Sequence, residues 1–173
     1  AQLRAQAILN TVRHEPAHYI NLDNSQSNLV EARDGSATND NVIATMYPLL
    51  VNGAEQATLN LDYQVAVSTL YPAPSFASAF GRITGNILLP NGEGAFQGAY
   101  VIARQVGDSR MTAVGVASGA RFSPDSPGGP PAPALRAAYE IPGLPPGNYT
   151  VEIEEIHSSF IDDASVGPLD PPL

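Results

Sequence analysis

Two histidines one helical turn apart, with a carboxylate beside the first, are the residues here best suited to chemistry. They stand in His14-Glu15-Pro16-Ala17-His18. A helix turns about 100° per residue, so His14 and His18 emerge on one face and can share one zinc ion. Glu15 then points near a metal-bound water, whose proton a carboxylate can take. In the longer form of this pattern a third ligand follows a turn at a glycine. The turn position here is Asn21, which adopts the left-handed conformation almost as glycine does. The ligand position is Asn24. An Asn amide is a neutral, poor zinc ligand, and the adjacent Asp23 would have to swing in to replace it. Zinc held weakly, or lost, is the expectation.

The element that must carry the pair is a helix over residues 1–21. Ala5, Ile8, Leu9, Val12 and Tyr19 recur at spacings of three and four and form an apolar stripe. His14 and His18 lie on an adjoining face. Pro16 divides the expectation. A continuous helix through it loses the bond to the carbonyl of Val12, at about 3 kcal/mol. A helix restarting near Glu15 would welcome the proline but rotate His14 away from His18.

Residues 22–41 are polar and read as a solvated loop; Glu31, Asp34 and Asp40 lie there without an ordered calcium-ligand pattern. Residues 42–51 are apolar and Asn52-Gly53 marks a turn. A short helix over 62–70 follows, with Val65, Thr69 and Leu70 able to face a core, stopped by Pro72 and Pro74. Residues 73–80 read as a linker. From Gly81 the period becomes alternating. Strands are expected around Ile83 to Ile87, Ala99 to Val106, Met111 to Ala117, Ala137 to Ile141 and Tyr149 to Ile156. In the last, Tyr149, Val151 and Ile153 should be buried and Thr150, Glu152 and Glu154 wet. Short strands with turn signals at this spacing imply an antiparallel sandwich. Pro127 to Pro133 reads as a protruding hairpin tip, His157 as a surface residue, and 158–173 as a tail.

Bulk properties exclude some partners. The net charge is -9 with 8 Lys and Arg among 173 residues, and no basic cluster. Nucleic acid and anionic membrane surfaces are therefore not expected partners. No apolar run approaches a membrane span. Cysteine is absent, which removes disulfides and thiolate metal sites. No signal peptide is visible at Ala1, where the sequence reads as already inside a helix.

Three segments together carry a resemblance. His14-Glu15-Pro16-Ala17-His18-Tyr19-Ile20-Asn21-Leu22-Asp23-Asn24-Ser25 resembles the zinc signature of metzincin metallopeptidases, closest to the matrixin-like group. Ala44-Thr45-Met46-Tyr47-Pro48 resembles their Met-turn, in which a methionine lies beneath the metal. Thr58 to Pro72, ending Leu70-Tyr71-Pro72, resembles the last helix of that catalytic domain. The resemblance covers roughly residues 1–72 and corresponds to the C-terminal half of the family's catalytic domain. It implies His14 and His18 as zinc ligands, Asn24 at the third position, Glu15 as general base and Met46 as the Met-turn residue. In that family the zinc helix packs on a sheet that precedes it, so a partial or degenerate catalytic region is expected. Residues 81–157 resemble the carboxypeptidase regulatory-like domain, a transthyretin-like sandwich. The phrases that carry this likeness are Gly85-Asn86-Ile87, Gly98-Ala99-Tyr100-Val101 and Ile141-Pro142-Gly143-Leu144-Pro145-Pro146-Gly147-Asn148-Tyr149-Thr150-Val151.

The expected architecture is α+β: a partial metzincin region (1–72), a linker (73–80), an antiparallel β-sandwich (81–157) and a tail (158–173). The expected function is that of a fragment or degenerate form of a secreted zinc metalloendopeptidase. Its partners would be protein or peptide substrates, and its place extracellular or at the cell surface. The other reading is a non-catalytic extracellular binding module that keeps a remnant zinc site.

Overall fold

Helix α1 (Gln2–Tyr19) runs without a break through Pro16. Of the two arrangements open in the sequence, the continuous helix is the one formed. The computed structural model describes residues 2–22, 24–25, 27–49, 51, 59–90, 92–119 and 133–155, with backbone only at 2–8, 10 and 133. The expected turn at Asn52-Gly53, the start of the last helix at Thr58, the hairpin tip 127–132, His157 and the tail lie outside the described residues, as does Asp23. Among the described side chains α1 docks by its last turns. Leu9, Val12 and Tyr19 of the apolar stripe are exposed, while Ala17 is buried with Leu22 and Met46. The helix ends as Asn21 swings to φ 62, a left-handed cap, and the Leu22 N–H folds back to the Ala17 carbonyl at 3.1 Å.

Helix α2 (Leu29–Arg33) and a 3-10 turn (Asp40–Val42) follow. This stretch was expected to be solvated, yet Ser27, Asn28, Leu29, Glu31 and Asp40 are buried. Polar side chains can be buried here because the strand region supplies partners: Arg110, in the turn between the strands Tyr100–Gln105 and Ala113–Ala117, pairs with Glu31 at 2.8 Å. Helix α3 (Leu61–Leu70) is N-capped by Asn60, whose side chain accepts from the Tyr63 N–H at 3.2 Å. Val65 is its buried apolar residue; Thr69 and Leu70, expected to face a core, are exposed at the open end of the helix. Residues 73–80 hold a further turn of helix, α4 (Phe76–Ala79).

Five strands complete the α+β fold. β1 (Gly81–Asn86) pairs antiparallel with β4 (Ala138–Leu144). β2 (Tyr100–Gln105) lies between β3 (Ala113–Ala117) and β5 (Tyr149–Glu154), antiparallel to both. One apolar cluster joins Val101 and Ala103 of β2, Val114 of β3, Ile141 and Leu144 of β4 and Val65 of α3. Helix α3 thus belongs to the same core as both sheets. Gly143 permits that approach. It sits at φ 70, and a Cβ there would fall 2.8 Å from a Val65 methyl and 3.1 Å from Phe76.

β2 is covered on both faces, in keeping with its run Ala99-Tyr100-Val101-Ile102-Ala103. Side chains alternate along a strand. Val101 and Ala103 therefore face the shared core, and Tyr100, Ile102 and Arg104 face the segment 25–46. On that second face Arg104 bonds Asn28 Oδ1, the Ser109 carbonyl at 3.0 Å and the Glu154 carboxylate. Asn28, held at φ 67, donates onward to the carbonyls of Val42 (2.7 Å) and Arg110 (3.0 Å).

β5 keeps the expected faces, with Tyr149 packed on the core and Thr150 and Glu152 exposed, but the burial expected of Val151 and Ile153 and the exposure expected of Glu154 are not found. Val151 and Ile153 are 42% and 58% exposed, while Glu154 is drawn inward to Arg104 and the Leu29 N–H. The register puts Val151 opposite Ala103 and Ile153 opposite Val101, so both lie on the core side of the sheet. β4 packs over β3 and β2 and leaves that edge uncovered. The alternation was legible; the extent of the covering layer was not. No described helix is long and apolar enough to cross a membrane.

The unbroken α1 carries a prediction. Pro16→Ala restores the bond to the Val12 carbonyl and removes the ring clash, so it should stabilise the protein by about 1–3 kcal/mol. Urea unfolding of both forms measures this. No gain would mean that the chain before Pro16 does not hold helical geometry in solution.

Candidate metal centre and its supports

His14 and His18 are tethered from behind. The His14 Nδ1–H donates to the Thr45 carbonyl at 3.1 Å, and the His18 Nδ1–H to the Leu22 carbonyl at 2.8 Å. A carbonyl can only accept, so each ring carries its proton on Nδ1 and turns its Nε2 lone pair forward. The two Nε2 atoms stand 3.1 Å apart, with the rings edge to face at a centroid distance of 4.8 Å. Two nitrogens bound to one tetrahedral zinc at the usual bond length are about 3.3 Å apart. The pair therefore has the spacing and the tautomers that two zinc ligands need.

The remaining sequence-derived positions distribute around this pair. Glu15 is exposed on the helix. Met46 is 3% exposed and packs with Ala17 and Leu22 beneath the last turn of α1, next in sequence to the carbonyl that holds His14. Asn24 is half-buried and lines a cavity of about 400 Å³ at the seam between α3, the 21–25 loop and β3. Among the described residues no set of three His, Cys, Asp or Glu side chains is placed to hold a metal ion. No protein family, curated protein or solved structure matches this chain. The reading of the centre rests on its own geometry.

Sequence reasoning missed a buried polar cluster behind the centre. Asp62, in the first turn of α3, accepts from the Ser25 hydroxyl and from the Gly115 N–H at 2.8 Å. The Tyr100 hydroxyl lies 3.0 Å from Ser25 Oγ and 2.9 Å from Ser27 Oγ. The Ser25 N–H donates to the Met46 carbonyl at 2.9 Å. Helix α3, strand β2 and the Met46 turn thus meet at one serine. One signal for this was present. Gly115 interrupts a run of β-branched residues, a mark of close approach. A Cβ there would fall 2.3 Å from the Tyr100 hydroxyl.

Burial raises the pKa of Asp62 above its ordinary value of 3.8, against the lowering effect of its hydrogen bonds with Ser25, Gly115 and Ser27. Burial also raises Glu154 above 4.5, outweighing the charge of Arg104. A carboxyl whose folded pKa is raised holds its proton more tightly when folded. Its contribution to stability is complete below the unfolded pKa and is lost as pH rises through the folded one. Asp62→Asn keeps an acceptor for the Gly115 N–H and offers its amide to Ser25 Oγ, without a charge to bury. The stability of this variant relative to the wild type should therefore improve as pH rises from about 4 to neutral. Urea unfolding of both across that range checks it; a difference that shrinks with rising pH contradicts it.

Proposed function

We propose that this chain carries the zinc-binding part of a metzincin-like, matrixin-like secreted endopeptidase, joined to a carboxypeptidase regulatory-like β-sandwich. The site binds zinc weakly. The observation that carries the reading is the Nε2 pair at 3.1 Å with both Nδ1 atoms committed to carbonyls. Its supports are Met46 beneath the helix and the left-handed turn at Asn21. Two small antiparallel sheets sharing one core support the β-sandwich.

The residues fit two ligand positions, His14 and His18. Zinc bound there would supply a Lewis acid for the scissile carbonyl and an acidified water. The carbonyls of Thr45 and Leu22 fix both imidazoles, so little rotamer freedom is lost on binding. Glu15, exposed next to His14, would serve as the general base and proton carrier of such a site. The substrate is a protein or peptide. Asn24 in place of a His or Asp removes the third strong ligand that catalytic zinc ordinarily has. A second reading, a non-catalytic extracellular binding module with a remnant site, is favoured by the lack of a third ligating His, Cys, Asp or Glu among the described residues.

Calorimetric titration with zinc of the wild type and Asn24→His separates the two. The endopeptidase reading expects weak binding by the wild type and an affinity at least ~10-fold higher in the variant. A direct ligand counts for no less than the outer partners whose loss costs that much. Equal affinities overturn the three-ligand geometry. No binding by either form leaves the binding module.

A further inference from the structure

We infer that Tyr100, a residue of β2, is a positioning residue for the metal centre, acting on His14 through Ser25. The inference rests on the metal reading above and adds to it that the sheet region is a working part of the site.

The proton inventory fixes the direction of the chain. Ser25 has one hydroxyl proton, and it is donated to Asp62 Oδ2. Tyr100 then donates to Ser25 Oγ at 3.0 Å, and its hydroxyl also lies 2.9 Å from Ser27 Oγ. The path Tyr100 to Ser25 to Asp62 uses each proton once. Burial raises the Tyr100 pKa well above its ordinary value, so the phenol stays protonated and remains a donor.

Ser25 passes the constraint on. Its backbone N–H holds the Met46 carbonyl at 2.9 Å. The neighbouring carbonyl, Thr45, accepts from His14 Nδ1. A shift of Ser25 therefore moves the turn that aims the His14 ring. Ser25 also follows Asn24 directly, so the same anchor sets where the third ligand position can stand. Tyr100 is itself immobile: it is 2% exposed, packed with Ile102 and Ala113, and lies across Gly115 where no side chain intervenes. A rigid strand is a better reference point for a metal site than a loop.

The test uses the full chain as Tyr100→Phe, with Tyr149→Phe as control. Tyr149 also loses one hydroxyl bond, to the Pro145 carbonyl at 2.8 Å, but touches no part of the chain to His14. Zinc titration should show affinity lowered roughly 10-fold in Tyr100→Phe and unchanged in Tyr149→Phe. In the metal-free protein the His14 Nδ1 proton, followed by NMR, should exchange faster with solvent only in Tyr100→Phe. If Tyr100→Phe fails to fold, Ser25→Ala breaks the same chain one link nearer and should give the same two changes. Wild-type zinc affinity with an unchanged His14 signal in the variants overturns the inference and leaves the metal site standing. Equal losses in Tyr100→Phe and Tyr149→Phe also overturn it, as general destabilisation. A wild type that binds no zinc overturns the metal reading and this inference with it.

Discussion

A carboxylate buried without a cation must find its partners in the groups around it, and in this protein Asp62 finds them in two parts of the chain. One oxygen takes the Ser25 hydroxyl from the loop after α1; the other takes the Gly115 N–H from β3. Burial of an ionised carboxylate is costly unless such donors are fixed in place. Neither donor can move away without leaving charge unsatisfied. The helical region and the sheets are therefore bound to one another by a polar requirement as well as by the apolar cluster around Val65. A second polar set does the same farther along, where Arg104 joins Asn28 to Glu154.

This changes how residues 1–72 and 81–155 relate. The sequence suggests two units with a linker between them. In the structure the segment 25–46 lies on one face of β2, and α3 enters the core on the other side of the same strand. A strand covered on both faces has no solvent side to lose, so each half supplies part of the other's interior. The short helix α4 falls within the expected linker, where Phe76 lies near Gly143. The zinc helix of the resembled family leans on a preceding sheet; here the described support for the end of α1 comes from Met46, Leu22 and the α3 residues Tyr63, Ala66 and Val67, and the Met46 turn is held in turn by Ser25 and Tyr100.

Periodicity and local chemistry made much of this legible. His14 and His18 at helical spacing, the left-handed Asn21 and five strands in order could be read from residue types and spacing, while Met46 under the helix came only from the resemblance. What could not be read were relations across the chain. Glu154 looked like a solvent-facing residue because alternation says which side a residue takes, and only tertiary structure says what covers that side. The segment 22–41 looked solvated because its polar residues are indistinguishable in sequence from wet ones; Asn28 and Glu31 are buried because Arg104 and Arg110 come from strands and turns far along the chain. Asp62 reads as an ordinary helix-start acid. Its partner Ser25 is distant in sequence, and nothing local announces the pairing.

The histidine tethers have a structural use of their own, which is why they alone do not define a metal site. Thr45 is buried, and a buried carbonyl needs a donor; His14 provides it. His18 does the same for the carbonyl of Leu22 at the end of the helix. These bonds would stabilise the fold with no metal ever present. The forward side of the rings is different. Once both Nδ1 atoms carry protons, the two Nε2 lone pairs face each other at 3.1 Å, and two acceptors at that distance repel. The contact becomes favourable only with a cation between the nitrogens, whether a proton or a metal ion. In this chain the forward face of His14 and His18 is therefore a place where a cation would be favoured.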